Sequence, residues 1–451
     1  MEINMSVTNP IRVIGTWDDM SEDERDKSVS RGIENIFNPS LQDSIRSLIE
    51  QVRLEGDAAV VRALKEFDKV DIGDKSLRVS DEEYEAARAG ISPELLEAIR
   101  DAIDHVRRFN ENLTARGDWS FESEPGLTVG EKVSPIASAG LFVPSGKGSY
   151  PSVAVQLATP AVVAGVPNIA IVVPPVPGTN GDVDPAVLVV AQELGLQGHV
   201  YRVNGPAGIA ALAFGTETIP KVRKVVGPGS PAVACAQIEV QRYGTVTNML
   251  LGPSESLIIA DESADLRLLA ADLLNEAEHG PDSSSILVTP SEAVLAGAQA
   301  EVSRQVELLP EPRRTYALTS LGVNGGAFLT RSIEAATDVA NAYAPEHMQI
   351  AVSDPDYVLS RLFDAGEILI GQNTTVSMAN FIIGCPASLP TSGFAKVSSG
   401  ITADAFLKKT AVAKSDLTAL KRMSKNVLAF TDHEGFPAHG AAVTARLESD
   451  S

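Results

Sequence analysis

The sequence predicts an α/β protein built on two parallel sheets, with small helical segments at either end. Two observations carry this prediction. From Glu131 onward, short apolar strands alternate with helical stretches, the pattern left by crossover connections in a parallel sheet. The alternation comes in two blocks, about 142–252 and 253–401, and each is large enough to form its own sheet. A chain of 451 residues can hold two or three domains with sizeable cores.

The elements follow in order. Residues 1–36 read as an N-terminal arm with a polar stretch, SEDERDKS, and no strong core pattern. Leu41, Ile45, Leu48, Ile49, Val52, Val60, Val61 and Leu64 recur at helical spacing, as do Leu95, Ile99, Ile103 and Val106. This is a helical lead-in that covers one side of a sheet. Ala139–Val143, Ile169–Val173, Val200–Val203 and Val222–Val226 read as strands, with helices at 151–164, 185–194 and 208–214 between them. In the second block, 257–260, 284–288, 348–352 and 367–370 read as strands and 266–278, 293–306, 333–342 and 357–363 as helices. From about 402 to the end the pattern is helical again, at 417–428 and 436–447.

Composition excludes several classes. The formal charge is −22 and no dense Lys/Arg block is present, so no nucleic-acid-binding face is expected. No apolar run is long enough to span a bilayer, and the first residues, MEINMSVTNPIRVIG, lack the basic start and apolar core of a secretory signal. The two cysteines, Cys235 and Cys385, make no disulfide framework and suit a reducing cytoplasm. A cytoplasmic protein without membrane partners is expected.

Chemistry gathers at three places. Ala271–Val288, ADLLNEAEHGPDSSSILV, puts Glu276 and His279 on one face of the last turn of a helix, punctuated by Gly280-Pro281. A carboxylate and an imidazole so placed begin a metal site; the same spacing also arises on solvated helices. Glu346 and His347 stand at a helix-to-strand junction, where a general base and a second carboxylate reach one substrate. His439 lies in EGFPAH near the C-terminus. His105 and His199 read as structural. Neither block carries G-x-G-x-x-G. The Gly227-Pro228-Gly229-Ser230 and Gly146-Lys147-Gly148 turns follow strands, where backbone N–H groups meet a phosphate.

Nine stretches together resemble the histidinol dehydrogenase family along nearly the whole chain. They are GLFVPSG (140–146), YPSVAVQLATPAVVAGV (150–166), IAALAFGTE (209–217), VVGPGS (225–230), GPSESLIIAD (252–261), EAEHGPDSSSILVT (276–289), APEHM (344–348), LPTSG (389–393) and EGFPAHGAAV (434–443). The resemblance implies two incomplete Rossmann-like parallel-sheet domains with small helical N- and C-terminal segments, forming an intertwined homodimer. Residues 1–36 are then the arm, and 37–141 with 253–401 a discontinuous first α/β domain carrying the metal and catalytic residues. Residues 142–252 form the second, nucleotide-side domain, and the swapped 402–451 segment completes the partner's site. The implied reaction uses NAD twice, taking an amino alcohol through the aldehyde to a carboxylic acid, with Zn2+ holding the substrate. His347 is the implied base and Glu346 the water activator. His279 and His439 match zinc ligands, and Ser254 and Glu434 match substrate contacts.

The chain departs from the family pattern at several of these positions. Glu276 stands where the family has a glutamine ligand, and Asn380 where it has an aspartate. The two changes exchange a carboxylate and an amide and preserve the ligand charge, so a retained metal site of Glu276, His279, Asn380 and His439 is expected. Val376, Ala387 and Phe381 replace a glutamate, a histidine and a tyrosine near the substrate. Each lost hydrogen-bond partner costs a buried polar group about 1–3 kcal/mol. The expected substrate is therefore a different small primary alcohol, an amino alcohol or a diol. True histidinol dehydrogenase and a non-catalytic metabolite-binding relative are the alternatives. Phe142, Ala207 and Ser230 stand at family NAD contacts, and with Gly227 and Gly229 they make the expected cofactor set.

Overall fold

Three sheets organise the chain, seen in a computed structural model that describes residues 9–31, 38–145, 149–248 and 252–448. In chain order the strands are β1 (Val13–Thr16), β2 (Trp119–Glu124), β3 (Leu127–Pro135), β4 (Ala139–Phe142), β5 (Ile169–Val173), β6 (Val200–Arg202) and β7 (Lys224–Val226). They continue with β8 (Val246–Thr247), β9 (Glu255–Ala260), β10 (Ser284–Thr289), β11 (Gly326–Leu329), β12 (His347–Ala351), β13 (Glu367–Ile370) and β14 (Leu407–Ser415). One parallel sheet has the order β6-β5-β4-β7-β8. The other, also parallel, has the order β1-β11-β10-β9-β12-β13. A third, antiparallel sheet joins β14, β3 and β2.

Both parallel sheets are buried on both faces, which is why their strands read as unbroken apolar runs. Successive side chains alternate between faces. In β5, Ile169, Ile171 and Val173 enter one core while Ala170 and Val172 enter the other. In β9, Ile258 and Ala260 oppose Leu257 and Ile259 in the same way.

The helical lead-in belongs with the five-stranded sheet, which corrects the expected grouping of 37–141 with 253–401. Helix Pro39–Glu55 packs Ile45, Ile49 and Val52 against one face, with Ala170 and Val172. Helix Pro93–Thr114, started by Ser92 and Pro93, packs Ile99, Ile103 and Val106 against the other, with Leu141 and Ile171. Each such buried side chain contributes about 1.5–3 kcal/mol. The expected boundary at 141/142 also cuts β4, whose four residues are all buried.

Both ends of the chain hold strands that their polarity hid. The N-terminal arm supplies edge strand β1 and buries Ile11 and Trp17. Its helix Glu22–Val29 is closed by a capping box between Ser21 and Glu24, with no buried residue. The 402–451 segment begins with β14, paired with β3 over nine residues from Leu407 to Ser415. Its side chains are mostly exposed, so no apolar alternation marks it. Two helices follow, Leu417–Glu434 and Pro437–Glu448.

One ion pair ties the lead-in to the five-stranded sheet. Arg202 on β6 is 1% exposed and grips Glu83 through both guanidinium nitrogens, Nη1 at 2.8 Å, with further bonds to the Ser76 and Gly181 carbonyls. Burial alone would raise the Glu83 carboxyl, but Arg202 and the Ser80 N–H bring it down from 4.5 to about 2. Glu83→Gln should cost about 3 kcal/mol, because the buried guanidinium loses its counter-charge. The folded carboxyl titrates below its unfolded value, so this stability is complete above pH 4.5 and is lost as pH falls toward 2. Urea midpoints of wild type and variant should differ at neutral pH and converge in acid; equal midpoints at neutral pH would show the pair to be dispensable.

Candidate active site

The polar heart of the molecule lies along the N-terminal edge of the six-stranded sheet. Register places His347, the first residue of β12, opposite Ser256 on β9 and Glu367 on β13. Glu255 begins β9 and Ser284 begins β10. Two helices end at this edge, Leu266–Ala277 and Ile333–Tyr343, and each brings the partial negative charge of its C-terminus. Open α/β sheets generally bind ligands at the opposite, carboxyl ends of their strands. The N-terminal edge instead collects negative potential, and so suits a cation or a basic group.

Glu276 is fully buried in the last turn of helix Leu266–Ala277. The helix closes on Glu278 in a right-handed conformation, and His279 sits just beyond, its N–H donating to the Glu276 carbonyl. The Glu276 Oε1 accepts from the amides of Asn275 and Asn380, each at 2.9 Å. Asn380 comes from the short helix Val376–Phe381, which also carries Val376, buried, and Phe381, exposed. Thus the two residues read as a matched exchange do touch. Among the described residues the Glu276 Oε2 is buried without a hydrogen-bond partner, and His279 Nδ1 lies 3.3 Å away. Ser254 Oγ pairs with that same nitrogen at 3.1 Å.

Glu346 and His347 are both buried. The Glu255 backbone N–H donates to Glu346 Oε2 at 3.0 Å. His347 Nε2 lies 3.8 Å from Glu346 Oε1, and its Nδ1 lies 2.5 Å from Glu367 Oε1. Burial raises the Glu346 carboxyl to about 8, with the Glu276 charge adding to the effect and His347 opposing it. Burial works against charging His347, yet the Glu346, Glu276 and Glu367 carboxylates push it up to about 10.

A second network backs the first. Arg31 binds both Glu255 oxygens, Nε at 2.7 Å and Nη2 at 2.6 Å, and lies over the Tyr343 ring at 3.5 Å. The Ser392 N–H also donates to Glu255. Sequence reasoning missed Arg31, Glu255 and Glu367. Glu255 and Glu367 did carry a signal: each is a lone carboxylate at the head of an apolar strand, ESLIIA and EILI, as Glu346-His347 is before MQIA. Arg31 carried none, because its partner is 224 positions away.

The other expected residues lie apart from this cluster. Ala387 donates its N–H to Gln156 of helix Pro151–Val163. Glu434 and His439 are exposed on the C-terminal helices. Among the described residues no three His, Cys, Asp or Glu side chains gather as a metal-holding group, so one chain does not assemble the expected four-residue set. His199 is structural, as expected, its Nδ1 at 2.8 Å from the Ile169 carbonyl oxygen.

On the five-stranded sheet, strand order reverses between β4 and β7, which opens a crevice at their carboxyl ends. Gly227 takes a φ of 139°, and a Cβ there would come within 2.1 Å of the Phe142 carbonyl oxygen. Only glycine permits that approach. Gly229 and exposed Ser230 follow, and helix Pro231–Val240 starts there. Phe142 and Ala207 are core residues with Leu212 and Val233, because the β4 alternation turns Phe142 inward. Phe142, expected in the cofactor set, has its ring buried in that core. The Gly146-Lys147-Gly148 turn lies outside the described residues.

This fold has known counterparts. The histidinol dehydrogenase family model matches residues 34–447. A histidinol dehydrogenase homolog of Colwellia psychrerythraea is 38% identical over 430 residues, 94% of each chain. A histidinol dehydrogenase of Methanosarcina barkeri is 36% identical over 431 residues, 95% of this chain and 96% of that one. The crystal structure of histidinol dehydrogenase from Elizabethkingia anophelis superposes with a TM-score of 0.91 at 31% identity, covering 98% of this chain and 99% of that one. The chain belongs to the histidinol dehydrogenase family. Near-full-length relatives that carry the name histidinol dehydrogenase overturn the expectation of a different primary alcohol and favour its alternative.

The contact between Glu276 and Asn380 yields a test. Glu276→Gln should lower the zinc content of the purified protein, and adding Asn380→Asp should restore it. Elemental analysis of wild type, single and double variants decides the matter; equal zinc in all three would reduce this stretch to a helix end.

Proposed function

We propose that this protein is a zinc-dependent, NAD-linked histidinol dehydrogenase that oxidises histidinol through the aldehyde to the carboxylic acid. The observation that carries the reading is the buried Glu346–His347 pair beside Glu276 and His279 on one sheet edge, in a chain of this family. His347 Nε2 takes the hydroxyl proton in the first oxidation. In the second step Glu346 removes a proton from the water that adds to the aldehyde, a role for which a carboxyl raised to about 8 by burial is suited. Ser254, with Glu434 from a second copy of the chain, would hold the substrate's polar groups.

The residues present fit a cation. An unpartnered buried carboxylate oxygen is costly in free energy unless a positive charge meets it, and Glu276 Oε2 is such an atom. Glu276, His279 and Asn380 would hold zinc, with His439 from a second copy of the chain, in a homodimer whose C-terminal segments are exchanged. When bound, zinc would supply positive charge to anchor the substrate's lone pairs, and NAD would supply the hydride acceptor for both oxidations. The Gly227–Ser230 turn and the N-terminus of helix Pro231–Val240 are suited to its pyrophosphate.

Steady-state NADH formation with histidinol tests this reading, run beside a panel of other primary alcohols. Histidinol should give the highest kcat/KM, with two NADH per substrate. His347→Asn should lower kcat by about 10²–10⁴-fold and leave zinc content unchanged. No NADH from histidinol, or wild-type turnover in His347→Asn, would contradict it.

A further inference from the structure

Glu367 has no part in the reaction as described, yet it is the closest carboxylate to the base. Its Oε1 lies 2.5 Å from His347 Nδ1, and the two side chains are 6% and 2% exposed. The placement is fixed by backbone. The Glu367 N–H donates to the Glu346 carbonyl at 3.0 Å and the Gly366 N–H to the Pro345 carbonyl at 2.9 Å, so β13 enters the sheet with Glu367 level with His347. A Cβ at Gly366 would come within 2.5 Å of the Glu346 carbonyl oxygen, so this approach requires glycine.

Burying a carboxylate at this depth is costly unless it is paired. Glu367 Oε2 has no hydrogen-bond partner among the described residues, so the bond to His347 is what compensates the group. That bond has a chemical consequence. A carboxylate only accepts, so His347 must carry a proton on Nδ1, and in its neutral form the lone pair is on Nε2, on the side of Glu346.

We infer that Glu367 is a positioning residue for the base: it fixes the Nδ1–H tautomer of His347, aims Nε2 at the substrate and stabilises the imidazolium formed when the proton is taken. Glu367 touches no reacting atom and acts through His347. The inference rests on His347 serving as the base through Nε2. It extends that reading by making the base an orienting carboxylate–imidazole pair carried on two adjacent parallel strands.

Two variants and two readouts test it. In wild type labelled with 15N at histidine, the His347 Nδ1–H should give a strongly downfield proton resonance, assigned by its absence in His347→Asn. Glu367→Ala should lose that resonance and lower kcat with histidinol by about 10²-fold, leaving KM and zinc content nearly unchanged. Glu367→Gln keeps the shape and an acceptor oxygen. It should retain the resonance, shifted upfield, and lose about tenfold in kcat. A folded Glu367→Ala or Glu367→Gln with wild-type kcat, or with an unmoved resonance, would overturn the inference. The resonance does not depend on substrate: its loss in Glu367→Ala alongside wild-type inactivity toward histidinol would remove the substrate and leave the positioning role standing.

Discussion

Four carboxylates, Glu255, Glu276, Glu346 and Glu367, meet at one edge of one sheet, and the structure around them is arranged to make that tolerable. Two helix C-termini add to the negative potential there. Arg31 answers Glu255 with two short bonds, and His347 answers Glu367 through Nδ1, with its Nε2 3.8 Å from Glu346. Among the described residues Glu276 receives amide donors from Asn275 and Asn380, with one oxygen left over. A buried carboxylate in that state is far from self-sufficient. The site therefore suits a cation, and its carboxylates push His347 up to about 10.

Much of this was legible in the sequence, for identifiable reasons. The parallel sheets announced themselves because strands buried on both faces are apolar throughout. The Glu276–His279 and Glu346–His347 pairs were legible because each is local: one spans a helix turn, the other two neighbouring residues. Ser254 came only from the family motif. What stayed hidden depends on register or on distance in sequence. Glu367 meets His347 because two strands align, and spacing of 20 residues says nothing of that. The lead-in helices were grouped with the wrong sheet because their apolar faces fit either one. β14 was hidden because its exposed side chains leave no alternation.

The division of labour between the sheets follows from their edges. The five-stranded sheet offers carboxyl ends, a glycine turn and a helix N-terminus, which favour a phosphate. The six-stranded sheet offers amino ends and helix C-termini, which favour a cation. His439 and Glu434 stand exposed on helices whose apolar side chains, Val427, Phe430 and Phe436, also remain uncovered in a single chain.

The central claim, a site finished by the partner's His439, is tested most directly by mixing two inactive variants. His347→Asn and His439→Ala dimers are each inactive, and after dissociation and reassociation in equal amounts half of the dimers are mixed. A mixed dimer holds one intact site if His439 acts across the interface, so activity with histidinol and NAD should return to about a quarter of wild type. Failure of verified mixed dimers to regain activity would contradict the account.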